Sequence, residues 1–204
     1  MRVNVPRHSG IEVSGRVIPA ALEAFGDFTV LAGQLLMANG VGKPDRSGFI
    51  RVDTEGWYPL DGYLKTYEEI VQQFGPKMVR KLGGAQARHA LFPPTLVDIT
   101  TAMQSMDVCF HMNHRQHGRI MFDGITGVIL EGIGHYHCVL APGQKRIQMR
   151  CDNPYPCAFD QGFLEELARR FNPQAMLEHE TPSNCRSKGS PCCTYLLTWR
   201  GDAA

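Results

Sequence analysis

The sequence predicts an α+β domain: an antiparallel sheet of four to five strands with N-terminal helices and one late helix packed on it. Three observations lead there. Residues 18–105 carry apolar side chains at helical spacing. From residue 106 to 199 the segments become short, rich in β-formers and punctuated by glycine. A single amphipathic helix pattern then interrupts this strand-rich half, an order that fits helices segregated onto an antiparallel sheet.

Each element has a local reason. Residues 1–17 are polar and read as a lead. "VIPAALEAFGDFTVLAGQLLMANG" is helical, with Pro19 in a first turn, Asn39-Gly40 as a stop and Gly26 dividing it in two. "GFIRVDT" reads as a short strand or a connection. Trp57 and Pro59 form a packed corner. In "LDGYLKTYEEIVQQFGP", Tyr63, Tyr67, Ile70, Val71 and Phe74 share one helical face. Asp61 is placed to cap it and Gly75-Pro76 to end it. A further helix from Pro76 to Ala90 turns Met78, Val79 and Leu82 inward. "TLVDITTAMQSM" follows, with Thr95 as its cap.

"DVCFHMNHR", "GRIMFDG" and "GITGVILEGIGHYHCVLAPG" read as strands. "KRIQMRC" alternates cleanly, Ile147, Met149 and Cys151 on one face and Arg146, Gln148 and Arg150 on the other. "CAFDQGFLEELARRFNP" is the late helix, with Phe163, Leu167 and Phe171 in one stripe, Asp160 as cap and Arg169-Arg170 near its end. "AMLEHE" and "CTYLLTW" close the sheet.

Composition narrows the function. The chain has 204 residues, 43% hydrophobic, with a formal net charge of +1 and interspersed charges. No basic patch points to nucleic acid, and no run approaches the length of a membrane span. The N-terminus lacks an apolar signal region. With seven cysteines, an odd number, the expectation is reduced thiols in a cytoplasm. Nucleophile-elbow, phosphate-loop and dinucleotide motifs are absent.

Five of the seven cysteines fall between residues 151 and 193. Cys151 ends a strand, Cys157 precedes the late helix, Cys185 sits in a loop that turns at Gly189, and Cys193 starts the last strand. Cys192 should face away, and Cys109 and Cys138 should be core. On spacing alone, a metal site and packed structural thiols both stand.

The pattern Cys185, Gly189, Cys193, Tyr195, together with Cys157 and Gly162 in "CAFDQGFLEELARRF", resembles the closing motif of 4-vinyl-reductase-like domains. That group lies in a superfamily with haem–nitric-oxide-binding sensors and TRAPP-type subunits. The resemblance covers residues 106–199 best. In related modules of phenol-responsive activators, zinc is held by a Cys before the helix, a Glu and two motif Cys. This implies zinc at Cys157, Cys185 and Cys193. The family's Glu position is Pro182 here, so Cys151 is taken as the fourth ligand, with Glu180 or His179 as alternatives. Four protein ligands would make the zinc structural; an iron–sulfur cluster also suits four thiolates.

The resemblance further implies sensing or carriage of a small, largely apolar ligand, with output through a homodimer or a partner protein. A second expectation is non-covalent haem, or a haem- or metal-dependent enzyme, built on His111, His114, Arg115, His135 and His137, with Asn113 alongside. There His111 or His114 would be the axial ligand and Arg115 an anion partner. The Tyr-x-Ser-x-Arg propionate motif of the haem–nitric-oxide-binding sensors is missing. A third expectation is an assembly subunit without a ligand.

Overall fold

Residues 8–141 and 143–201 are described by a computed structural model. The supposed polar lead holds the first strand, β1 (Ile11–Ser14), whose Ile11 and Val13 are buried. Its four residues carry too short an alternation to stand out from their polar flanks. The part of the lead before His8 lies outside the described residues.

Two helices follow, α1 (Ile18–Ala24) and α2 (Thr29–Ala38), separated at Gly26 as expected, with Pro19 in the first turn of α1. A small ribbon, β2 (Lys43–Pro44) with β3 (Ile50–Arg51), leads to β4 (Trp57–Pro59). Helix α3 (Leu60–Phe74) buries Tyr63, Tyr67 and Ile70. Asp61 lies inside its first turn rather than capping it, where a carboxylate still complements the helix dipole. Gly75, at φ 78°, turns the chain directly into α4 (Pro76–His89).

After α5 (Ile99–Gln104), capped by Asp98 rather than Thr95, the chain departs from expectation. "DVCFHM" is not strand but helix α6 (Met106–Met112), burying Met106 and Phe110 one turn apart. Seven residues are too few to display a helical period, and β-formers gave the segment the look of a strand. Strands β5 (His114–Gln116) and β6 (Arg119–Ile120) come next; most of "GITGVILEGIG" is irregular, with one bridge between Phe122 and Ile129.

The remaining elements are β7 (Tyr136–Leu140), β8 (Arg146–Cys151), α7 (Cys157–Phe171), β9 (Met176–His179) and β10 (Cys193–Thr198). In β8, Ile147, Met149 and Cys151 are buried as the alternation required. Strands β7-β8-β10-β9 form one antiparallel sheet; β4-β1-β5-β6 form a second of four strands, where a single sheet was expected.

Helices α4 and α7 pack along their length, and their approach is set by glycine. A Cβ on Gly83 would overlap the Phe159 carbonyl, and one on Gly162 the Arg80 carbonyl. One apolar core joins α1, α3, α4 and α7 to both sheets. No single helix among the described residues is long and apolar enough to cross a membrane.

Candidate functional site

A cavity of about 350 Å³ opens between the helical half and the sheet-rich half. Val13, Val17 and Ala20 wall it on the β1–α1 side; Met106, Cys109 and Phe110 of α6 face them. Tyr136, Tyr155, Phe159 and Phe163 complete an aromatic side. Ring pairs Phe110–Tyr155, Tyr155–Phe159 and Phe110–Tyr136 lie 6.0, 5.0 and 5.3 Å apart, which fixes that wall. The size and apolar lining are those of a small-molecule site.

Few polar groups enter it. His114, 2% exposed, donates from Nδ1 to the Phe110 carbonyl (2.7 Å), and its Nε2 accepts from the Tyr155 hydroxyl (3.0 Å). This tautomer follows from the partners. Burial pulls the His114 pKa down from 6.5 to about 4, so the ring is neutral near pH 7. Gln86 donates to Tyr63 Oη (2.7 Å) and the Val17 carbonyl (3.1 Å). Asn113 also lines the space. Two basic side chains, Arg16 and His89, are in the lining, each beside a carboxylate: Arg16 by Glu55 at 2.5 Å and His89 by Glu23 at 2.8 Å.

The predicted histidine pocket is divided. Only His114 and Asn113 reach the cavity. Because residues 106–112 are helical, His111 leaves by another face, fully buried, with Nδ1 2.7 Å from the Asp107 carbonyl. His135 bridges Asp107 (2.9 Å) and Glu131 (2.9 Å), and His137 meets Asp152 at 3.2 Å. Partial burial lowers the His135 pKa, but hydrogen bonds and charge from Asp107 and Glu131 outweigh it and leave the pKa raised. Arg115 is committed elsewhere: it forks onto Glu12 at 2.5 and 2.9 Å and lies over the Trp57 ring. Gln86, Tyr136 and Tyr155 were missed by sequence reasoning. The available signal was a glutamine continuing the apolar stripe Val79, Leu82 on α4.

The C-terminal thiols converge in part. The sulfurs of Cys157, Cys185 and Cys193 lie within 4.8 Å of one another, with Cys157–Cys185 at 3.3 Å and Cys185–Cys193 at 3.5 Å. Sulfurs sharing one zinc at ~2.3 Å in a tetrahedron stand about 3.8 Å apart, so small shifts suffice. The Cys157 thiol and the Arg186 backbone N–H both donate to Cys193 (the latter at 3.3 Å), which pulls its pKa down; Cys157, as donor, is pushed up. A thiolate is the ligand form.

Cys151 is not in this group. It stands opposite Cys193 across β8 and β10, fully buried, and burial pushes its thiol pKa well up. Glu180 accepts from Gln148 at 2.8 Å and His179 stacks on Tyr195; neither belongs to the group of three sulfurs. Ser187 Oγ lies 3.2 Å from Cys185 Sγ. The expected closed set of four protein thiols therefore does not form. Of the other cysteines, Cys109 borders the cavity, and Cys138 and Cys192 are half-buried.

No family model and no curated protein matches the chain. Solved structures do. An H-NOX protein from Shewanella oneidensis, in an Fe(II) ligation state, is 15% identical with a TM-score of 0.63, covering 93% of this chain and 97% of its own. An unliganded Fe(II) H-NOX protein from K. algicida is 10% identical with a TM-score of 0.60, covering 94% and 98%. A structure titled for modulation of haem redox potential by porphyrin distortion is 13% identical with a TM-score of 0.59, covering 94% and 97%. At these identities the likeness shows a shared fold.

Proposed function

We propose that this chain is a ligand-binding sensor domain whose receiving site is the cavity beside His114, and that non-covalent haem is its favoured occupant. The observation that carries the reading is a buried imidazole on an apolar cavity wall, with Nδ1 fixed by the Phe110 carbonyl. A metal-binding histidine is characteristically held this way, its far nitrogen set by a second hydrogen bond. The shared fold with Fe(II) H-NOX structures supports the same cavity.

The donor set fits the iron better than it fits the propionates. His114 would hold the iron through a ring nitrogen, and Met106 and Cys109 on the wall are further residues of iron-binding type. The Tyr-x-Ser-x-Arg pattern of the haem–nitric-oxide-binding sensors is absent from the sequence, so no guanidinium of that motif is on hand. Among the described residues of the lining, Arg16 and His89 are then the basic side chains at hand for a propionate. A bound haem would supply the gas-binding or redox chemistry. The chain's own residues hold a neutral imidazole in place, exclude water with Phe110, Phe159 and Phe163, and offer Tyr155 as a hydrogen-bond donor.

A second occupant, a colourless apolar molecule, is favoured by the Tyr155 hydroxyl already sitting on His114 Nε2 and by the carboxylate partners that Arg16 and His89 already have. Haemin titration of the metal-free full chain separates the two. Haem predicts one Soret-active equivalent whose band shifts or vanishes in His114→Ala. Absence of saturable haem binding overturns haem and leaves the apolar ligand.

We further propose that Cys157, Cys185 and Cys193 hold a zinc ion that joins the start of α7, the Gly189 turn and the start of β10, with the fourth position taken by water or Ser187. Output passes to a partner or a second copy; the exposed Phe28 and Val30 beside the start of α2 are candidates for that contact.

A further inference from the structure

Away from the cavity and the thiols, three imidazoles stand in a row at the start of β7. The His111 and His135 rings are 5.1 Å apart, and the His135 and His137 rings 5.2 Å. Asp107 lies beside the first two, with Oδ1 3.5 Å from His111 Nδ1 and Oδ2 2.9 Å from His135 Nδ1. One donor atom each from Asp107, His111 and His135 lies within 4.8 Å of the other two. We propose that these three residues form a site for a divalent transition-metal ion, distinct from the thiol group and independent of what fills the cavity.

The donor chemistry selects the ion. Two imidazoles and one carboxylate suit zinc, cobalt, nickel, copper or ferrous iron, whereas magnesium and calcium take oxygen ligands.

A second observation is the state of His111. Its side chain is fully buried; Nδ1 is used by the Asp107 carbonyl, and Nε2 has no hydrogen-bond partner among the described residues. Buried polar groups are rarely left so, and a lone pair on Nε2 is what a metal ion takes up.

The third is the bracing of His135. Glu131 Oε2 is 2.9 Å from its Nε2, on the side away from Asp107. A proton donated from Nε2 to Glu131 leaves the Nδ1 lone pair facing Asp107, which is the carboxylate–histidine arrangement that orients metal-binding imidazoles. Asp152 holds the same segment by accepting from the His135 backbone N–H at 2.6 Å and facing His137 at 3.2 Å. Entry is from the His135 side, since that side chain and Asp107 are 20% and 22% exposed.

Cobalt(II) titration of the metal-free full chain tests this optically. Cobalt on thiolates gives strong sulfur-to-metal charge-transfer absorption; cobalt on nitrogen and oxygen gives weak visible bands alone. The expected result is a saturable equivalent without thiolate absorption. His135→Gln should abolish it, Glu131→Gln should weaken it about 10–100-fold, and His137→Gln should leave it. Substitutions at partly exposed His135 and exposed Glu131 are preferred to one at buried His111, and circular dichroism of each variant establishes folding. No thiolate-free equivalent in the unaltered chain, or one undiminished in a folded His135→Gln, overturns the site. The same holds if the Asp107–His135 contact proves to be an ion pair alone, with cobalt leaving His135 titration unchanged.

Discussion

The carboxylate of Asp160, with no exposed surface, is paired with the guanidinium of Arg186. Asp160 is in the first turn of α7, three residues after Cys157; Arg186 follows Cys185. Asp160 also accepts from the Tyr136 hydroxyl at 2.6 Å, and Arg186 donates to Asn153 Oδ1 at 3.0 Å. The pair therefore ties a residue of the cavity wall, Tyr136, to the loop that carries the thiols. Breaking one partner of a buried pair leaves an uncompensated charge, at a cost of about 3–5 kcal/mol. Arg186→Met should lose about that much stability in urea denaturation, and Asp160→Asn somewhat less. The double variant should lose less than the sum. Additive losses would show that the two side chains act separately.

The thiol group predicts an unequal response among four cysteines. Cys157→Ser, Cys185→Ser and Cys193→Ser should each release the zinc and lower the melting temperature. Cys151→Ala should retain a full equivalent, because its sulfur is outside the group. Metal analysis of folded variants purified without chelator decides this. Loss of zinc in Cys151→Ala would restore the four-thiol site.

Why the sequence foresaw the approach of three of these thiols and misplaced Cys151 is a matter of scale. A strand period of two is short enough for six residues to display it, so the buried face of Ile147, Met149 and Cys151 was legible, as were the long stripe of α3 and the late helix α7. That Cys151 pairs with Cys193 is a register, fixed by long-range contacts between β8 and β10. Cys151 lies within electrostatic reach of both Asp160 and Cys193, yet outside the group of three sulfurs. The histidines failed for the opposite reason. Helix α6 is too short to show its period, so His111 and Arg115 were assigned one face of a single strand, whereas His111 belongs to α6 and Arg115 to β5. Two sheets rather than one, and β1 within a polar lead, depend equally on pairings distant in sequence.

The crossing of α4 and α7 separates three glycines that look alike in sequence. Alanine in a helix interior gains up to about 1 kcal/mol over glycine. At Gly83 and Gly162 the added methyl would overlap a backbone carbonyl of the facing helix, and such overpacking costs about 1–3 kcal/mol. At Gly84 the nearest atom is 3.6 Å away, an ordinary contact. Thermal unfolding should therefore show Gly83→Ala and Gly162→Ala destabilised and Gly84→Ala unchanged or slightly stabilised. A destabilised Gly84→Ala would contradict the close approach described for this helix pair.

His114 gives the stability of the chain a pH dependence of defined sign. Its folded pKa, about 4, lies below the ordinary 6.5 because charging the buried ring is costly. Between these values the unfolded chain binds more protons than the folded one, so stability rises with pH through that window. At about 1.4 kcal/mol per pKa unit, the contribution present above pH 6.5 falls by at most about 3 kcal/mol on descending to pH 4. Asp160 acts in the opposite sense, since burial, against the pull of Arg186, raises its pKa to about 6 and favours its protonated form in the fold. The raw profile therefore sums opposing slopes. Subtracting the profile of His114→Gln, which does not titrate, isolates the imidazole. The difference in unfolding free energy should be flat above pH 6.5 and should narrow in favour of the variant toward pH 4. A difference that is level across the whole range would mean that His114 is open to water, and the cavity wall built around it would have to be redrawn.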